Sequence, residues 1–205
     1  QIKPHLMEMI QLNDAVVKGS SNISLNKVKD DEGVYPLYSA KGFYKNISFF
    51  HQEEEYLAII KDGAGIGRIS IHPPKSSCVG TMQYLIPKDG FDIRFIKYCL
   101  LSIDFTKYSQ GATIPHIYFK DYKSELIPKL SVEEQHELVS KLDQAFEAID
   151  QAIANTEKNI ENVGVLKKEM NKTLLSSQSS KKNQIFPLSE IAEIINGYSF
   201  SSKDF

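Results

Sequence analysis

Hydrophobic and polar residues alternate in two different ways along the chain. Over residues 34–90, turn residues separate short apolar runs, which predicts β-strands joined by hairpins at 56–60, 69–71 and 83–86. From 92 to 102, apolar residues recur every three or four positions and predict a helix. Segment 108–119 is predicted to be a loop that leads into a short strand. We therefore expect residues 1–130 to form a globular α+β domain with mixed secondary structure.

A helical pattern begins after Pro128. Ser131 and Glu134 fit a capping box, and from there to about residue 175 the chain contains no proline and a single glycine, Gly164. Apolar residues recur at steps of three and four along this segment, and they are Leu138, Leu142, Ala145, Ile149, Ile153, Ile160, Val163, Leu166, Met170 and Leu174. A helix of this length, roughly 65 Å, cannot bury such a stripe on a small domain. We predict that 131–177 is one long α-helix that pairs with a partner helix in a coiled coil.

A short internal repeat suggests that a second domain begins near the end of the sequence. Residues 10–19 and 186–197 share a pattern: an apolar residue, a leucine two positions later, an acidic residue, and an apolar run that ends at glycine. We therefore divide the chain into a domain at 1–130, the helix at 131–177, and a segment at 178–205 that contains a linker and the start of a second domain.

Composition and charge narrow the classes of protein that this sequence could be. The net charge of the 205 residues is −2, so a globally basic nucleic-acid binder is excluded, and a polyanion would need a local basic patch. No window has the roughly 18 apolar residues of a membrane-spanning helix. The N-terminal residues lack a signal-peptide core, and two cysteines cannot form a disulfide framework. We expect a cytoplasmic protein.

No recognisable catalytic machinery appears in the sequence. The five histidines are scattered and do not pair with cysteine at zinc spacing, so we expect no bound metal. The glycine cluster at 62–68 lacks both the Lys-Ser/Thr of a P-loop and the third glycine of a dinucleotide motif. Its glycines serve either a tight hairpin or the close approach of a phosphate to backbone N–H groups, and both interpretations stay open here.

The order of these features resembles the specificity (S) subunit of type I restriction–modification systems. The resemblance rests on residues 12–19, the KDGAGIGR segment at 61–68, GATIPH at 111–116, IPKLSVEEQ at 127–135, and the long helix followed by 188–203. It implies a target-recognition domain that binds double-stranded DNA in the major groove. It also implies a helix that pairs with an antiparallel helix and sets the distance between two half-sites.

The resemblance further implies a subunit that is not an enzyme and needs no cofactor of its own. S-adenosylmethionine, ATP and Mg²⁺ would belong to the modification (methyltransferase) and restriction subunits that assemble with it. Two copies of this chain could pair through their helices as a homodimer and bind a palindromic bipartite site. The residues expected to contact DNA are Lys61 and Arg68 for the backbone, and Thr81, Gln83, Thr113 and His116 for bases or domain structure. Lys41, Tyr44 and Lys45, on a turn predicted at the Gly-Phe-Tyr of residues 42–44, are further candidates.

Two other functions are compatible with the sequence. A coiled-coil adaptor with a globular head would explain the acidic helix equally well and the repeated domain start less well. An enzyme that binds a nucleotide at residues 63–67 is the third possibility. Salt-sensitive DNA binding separates the first two, and a thermal shift on addition of ATP would indicate the third.

Overall fold

The computed structural model describes residues 8–177 and Pro187. In this part of the chain the strands, numbered β1 to β9, are Met9–Gln11, Val16–Lys18, Tyr35–Ser39, Gly42–Ile47, Tyr56–Ile60, Ile69–His72, Ser77–Cys78, Met82–Pro87 and Leu126–Pro128. The α-helices, numbered α1 to α4, are Leu12–Ala15, Ile93–Leu101, Phe119–Tyr122 and Val132–Ser177, and a 3₁₀ helix spans Phe105–Tyr108. The α+β class predicted from sequence is confirmed.

The strands form three small sheets. The central sheet has the order β2-β8-β5-β6 and is antiparallel throughout. A second sheet has the order β4-β3-β7, in which β3 and β7 run parallel. In the third, β1 pairs with β9, so that Met9 stands opposite Pro128 and the start of the domain is joined to the segment before α4.

Strand β5 is buried along its whole length because each face of the central sheet carries a separate core. Leu57 and Ile59 face a core built around α2, whereas Tyr56, Ala58 and Ile60 face a core shared with the β4-β3-β7 sheet. This double burial explains why residues 56–60 form a continuous apolar run rather than an alternating one.

The two cysteines lie in different cores and are both free. Cys99 belongs to the core around α2, and Cys78 belongs to the core on the opposite face. Burial raises the pKa of each thiol to about 12, so both are un-ionised and inert near neutral pH.

Helix α4 confirms the long helix that the apolar periodicity predicts. It contains 46 residues, which corresponds to about 69 Å. The predicted capping box is also present, because the Ser131 N–H donates to Oε2 of Glu134 at 2.8 Å and the Glu134 N–H donates to Oγ of Ser131 at 3.3 Å.

The described residues divide into two compact units, one ending at Phe146 and the other beginning at Glu147. The three-part division at 130 and 177 remains a prediction. The expected start of a second domain, in 178–205, lies outside the described residues except for Pro187. None of the helices within the described part of the chain is long and apolar enough to cross a membrane.

Candidate nucleic-acid interface

The glycine loop, defined as residues 61–68, connects β5 to β6. The Ile60 N–H donates to the Arg68 carbonyl at 3.0 Å, and the Gly67 N–H donates to the Ile60 carbonyl at 2.9 Å. Gly63 and Gly67 have φ angles of +94° and +81°, which side-chain-bearing residues rarely adopt. The hairpin interpretation of these glycines is therefore confirmed, while contact with a phosphate remains a prediction.

A second segment, the histidine loop (residues 110–117), is bound to the glycine loop through backbone hydrogen bonds. The Gly63 N–H donates to the Pro115 carbonyl at 2.9 Å, and the Ile117 N–H donates to the Lys61 carbonyl at 2.9 Å. Two segments about 50 residues apart in sequence are thereby placed side by side.

The prediction of a short strand within 108–119 is wrong. The only ladder contacts in this described segment are isolated bridges at His116, because Pro115 has no N–H to donate and Gly111, with φ of +89°, turns the chain back on itself. The segment then continues into α3, a single helical turn.

Three charged or polar side chains form a chain of contacts between these loops. Nζ of Lys61 donates to Oδ2 of Asp62 at 2.9 Å, and Nδ1 of His116 donates to Oδ1 of Asp62 at 2.7 Å. Burial alone would raise the pKa of Asp62, but the hydrogen bonds from His116 and Lys61 outweigh it, and the pKa lies below its usual value. His116, expected to contact bases or support the domain, thus holds a structural contact.

Lys41 and Arg68 lie together in a cleft of about 310 Å³ between the β3–β4 turn and the start of β6. Nη2 of Arg68 donates to the carbonyl of Ala40 at 3.1 Å, while the side chain remains exposed. A Cβ at position 65 would stand 2.4 Å from Nη2 of Arg68, so Gly65 leaves room for the guanidinium in this position. The cleft therefore presents two cations from segments far apart in sequence.

Lys61 and Gln83 share another cavity with residues that the sequence analysis missed, namely Lys18, Ser20, Ser21 and Lys120. Lys18 belongs to the motif at 12–19, but nothing in the local sequence marks it or the other three as contacts for DNA. Lys18 reaches the cavity because β2 pairs with β8, which places it opposite Leu85.

The remaining residues that were expected to contact DNA lie outside the Lys41–Arg68 cleft and the cavity beside Lys61. Tyr44 and Thr113 are exposed. The ammonium of Lys45 donates to the carbonyls of Val28 and Lys29 at 3.3 and 3.0 Å, so it holds the preceding loop. Thr81 accepts backbone hydrogen bonds from Lys61 and Asp62 through its carbonyl. Residues 43–44, expected in a turn, belong to strand β4, and the turn itself lies at residues 40–41.

The apolar stripe of α4 has two different environments. Leu138 is half-buried and packs against the core around α2, where the neighbouring Val139 is buried, and Leu142 is also half-buried. From Ala145 onward the stripe is exposed, with 51% exposure at Ile149 and Ile153 and more than that at Ile160, Val163, Leu166, Met170 and Leu174. The predicted helix–helix interface therefore corresponds to an apolar face that is solvent-exposed over residues 145–174.

Gln135 is a structural residue that the sequence analysis treated only as part of a motif. It is fully buried; its Nε2 donates to the carbonyls of Gly90 and Leu130 at 2.9 and 3.0 Å, and its Oε1 accepts from the Asp92 N–H at 2.8 Å. This side chain fastens the first turn of α4 to the loop before α2.

Within residues 8–177 no group of three or more His, Cys, Asp or Glu side chains is placed to hold a metal ion.

The sequence matches the family model described as the type I restriction modification DNA specificity domain over residues 4–162. A comparison with curated proteins gave no match.

Three solved structures have a similar fold. The S subunit of a type I restriction-modification system from M. genitalium aligns with a TM-score of 0.56 at 17% identity, covering 74% of this chain and 42% of that one. A structure described as the basis of complex assembly and conformational transition of the type I R-M system gives 0.61 at 18% identity, covering 80% and 45%. The HsdS subunit from Thermoanaerobacter tengcongensis gives 0.54 at 18% identity, covering 73% and 40%. This chain spans less than half the length of each.

Proposed function

Because the family match covers most of its length, the chain belongs to the type I restriction–modification DNA specificity family, and from that premise we propose that it recognises one half of a bipartite DNA site. The family match carries the proposal. It is supported by the position of Lys61 in the unit that the glycine loop and the histidine loop form, and by the cleft in which Lys41 and Arg68, from segments far apart in sequence, lie together.

The residues proposed to contact DNA fall into two chemical classes, cations for the phosphate backbone and polar side chains for base edges. Lys41, Lys61 and Arg68 would neutralise phosphates and position the duplex without distinguishing sequences. Exposed Tyr44 and Thr113 are the candidates for contact with base edges. The side-chain hydrogen bonds of His116 and Lys45 favour a supporting role in the domain. Thr81 has an exposed side chain and Gln83 is buried, and both remain candidates for contact with DNA.

The long helix would set the spacing between two half-sites. Its exposed face over residues 145–174 is apolar, and such a face is stable in water when another helix covers it. We propose that a second copy of this chain supplies that helix in antiparallel orientation, which gives a homodimer with two identical recognition domains.

The chain would act as the non-catalytic subunit of a larger cytoplasmic assembly. Modification subunits, which use S-adenosylmethionine, would dock on it, and a restriction subunit that uses ATP and Mg²⁺ would join through them. The chain's own residues would supply DNA recognition and spacing, while the chemistry would belong to the partners.

A salt series tests the DNA-binding part of the proposal. The full chain is titrated into a fluorescent 30-base-pair duplex at several chloride concentrations, and anisotropy gives the dissociation constant. We expect log K to fall linearly with log salt by about 0.9 for each phosphate contact. Absence of binding at the lowest salt, with the fold intact by circular dichroism, would favour the adaptor function.

A further inference from the structure

The cavity beside Lys61 is lined by both apolar and polar side chains, and the polar ones include three lysines. It measures about 270 Å³ and lies where β2 ends, β8 begins and the chain approaches α3. We call it the lysine cavity, and its polar lining consists of Lys18, Ser20, Ser21, Lys61, Gln83 and Lys120.

Gln83 supplies the strongest sign that this cavity takes a ligand. Its side chain is only 3% exposed, and Nε2 has no hydrogen-bond acceptor among the described residues. A buried amide without an acceptor is costly, and such groups are rare in folded proteins. An acceptor atom in the cavity would satisfy it.

The positive charge of the cavity lining indicates that the ligand that supplies this acceptor is an anion. Three ammonium groups come from separate segments, and no carboxylate is among the described residues that line the cavity. Lys61 is paired with Asp62, and Nζ of Lys120 lies 5.4 Å from the centre of the Tyr118 ring. Lys18 has no ion pair within the described part of the chain. Lys18 and Lys120, unlike Lys61, thus form no ion pair with a carboxylate within the described part of the chain and are the cavity's most available cations.

We propose that the lysine cavity binds one phosphate group of the DNA backbone. Lys18 and Lys120 neutralise it, and the Gln83 amide donates to one of its oxygens. A phosphate offers several acceptor oxygens and a negative charge together, which matches a site made of ammonium and amide donors. This inference rests on the proposed DNA-binding function, to which it adds a defined phosphate position and two lysines that the sequence did not predict to contact DNA.

Charge variants of the full chain test the proposal in the duplex-binding assay. The Lys18→Gln/Lys120→Gln double variant should reduce the slope of log K against log salt by about 0.9, the value for one phosphate, and each single variant should remove part of it, to the same extent on unrelated duplexes. Lys123→Gln is the matched control, since Lys123 is exposed three residues further along and is not part of the cavity lining. If Lys123→Gln lowers the slope as much as Lys120→Gln, diffuse charge explains the effect and the proposal is overturned.

A second variant separates ligand binding from structural support. Gln83→Leu removes an amide that has no acceptor in the free protein, so the melting temperature should be unchanged or higher while affinity for duplex falls roughly tenfold. A lower melting temperature with unchanged affinity would mean that Gln83 supports only the fold, which contradicts the proposal.

Competition with inorganic phosphate distinguishes a phosphate group of the DNA backbone from a free phosphate ion as the ligand of the lysine cavity. At constant ionic strength, phosphate should compete with duplex for the wild-type chain and should not compete for the Lys18→Gln/Lys120→Gln double variant. A third outcome is also defined: the wild-type chain binds no duplex, phosphate raises its melting temperature, and the double variant shows no such rise. This result would assign the cavity to free phosphate and overturn both the DNA-backbone assignment and the proposed function. Normal, salt-sensitive duplex binding by the double variant would overturn this inference alone.

Discussion

Asp62 and His116 are 54 positions apart in sequence, and their side chains meet at 2.7 Å between Oδ1 and Nδ1. Each belongs to a motif that the sequence singled out, one in the glycine loop and one in the histidine loop. Their contact, with the backbone hydrogen bonds beside it, makes the two motifs one structural unit. The order of motifs along the chain therefore reflects a shared location in the fold.

The Asp62–His116 contact should stabilise the domain measurably. Asp62→Asn and His116→Gln should each lower the free energy of unfolding by about 1 kcal/mol, and the double variant should lose less than the sum of the two. Urea unfolding of the four proteins measures this coupling. Strictly additive losses would show that the two side chains do not interact.

The same contact predicts an acid sensitivity. Because the pKa of Asp62 is lower in the folded chain than its ordinary value of 3.8, its contribution to stability is complete above that value and is lost as the pH falls through the folded-state pKa. Unfolding free energies measured between pH 5 and pH 2.5 should therefore fall less steeply for Asp62→Asn than for the wild-type chain. Parallel curves would contradict this assignment.

His72 predicts a second pH dependence at milder acidity. The side chain is buried against Tyr38 and Tyr56, with Nε2 2.7 Å from Oγ of Ser70, and burial lowers its pKa from 6.5 to about 4. The unfolded chain binds a proton in this window and the folded chain does not, so stability should fall as the pH drops from 6.5 to 4. The shift corresponds to a loss on the order of 3 kcal/mol.

His72→Gln isolates this effect, since glutamine does not titrate. Its unfolding free energy should change less than that of the wild-type chain between pH 6.5 and pH 4. An equal change in the two proteins would mean that other groups cause the acid sensitivity.

Gln135 should be one of the most sensitive polar positions in the domain. Gln135→Ala leaves two carbonyls and one N–H without their partner in a buried place, so the unfolding free energy should fall by about 2–4 kcal/mol. Gln144→Ala is the control on the same helix, because Gln144 is exposed and should change stability by no more than about 0.5 kcal/mol. Similar losses at both positions would show that the buried hydrogen bonds of Gln135 do not cause the loss.

Local patterns account for the parts of the fold that were predicted correctly. The strand at 56–60, the helix that starts after Asp92 and the capping box at Ser131 each depend on residues close together in sequence. Asp92 illustrates this, since its carboxylate accepts from the N–H groups of Arg94 and Phe95 at the start of α2. Short-range hydrogen bonds and periodicity suffice for such elements.

The candidate site was predicted less completely because it depends on long-range packing. Lys45 carries the charge expected of a phosphate contact, but its ammonium is held by carbonyls 16 and 17 residues earlier in the chain. Lys18 belongs to the motif at 12–19, but it reaches the lysine cavity through strand pairing with β8, which that motif does not predict. Neither arrangement has a signature in a local stretch of sequence.

The exposed stripe of α4 predicts self-association. Ile153→Asp places a charge in the middle of the proposed interface and should shift the chain from dimer to monomer by light scattering at tens of micromolar. Gln151→Asp adds the same charge on nearly the opposite side of the helix, two residues or about 200° of rotation away, and should leave the dimer intact. A monomeric wild-type chain at this concentration would contradict the homodimer.

Arg68 tests the cleft that it shares with Lys41. Arg68→Ala should weaken binding to all duplexes alike and reduce the salt dependence by about one phosphate contact, because a backbone contact carries no sequence information. Circular dichroism should show an intact fold. Unchanged affinity across the salt series would remove Arg68 from the proposed interface.

Methylation mapping tests the central claim most directly. The chain is expressed with its modification subunit in cells that lack other methyltransferases, and modified adenines are located across the genome, with cells lacking this chain as the control. A palindromic two-part motif that appears only with this chain is the predicted result, since identical recognition domains read identical half-sites. The absence of any motif that depends on the chain, from a complex shown to contain both subunits, would contradict its role in DNA specificity.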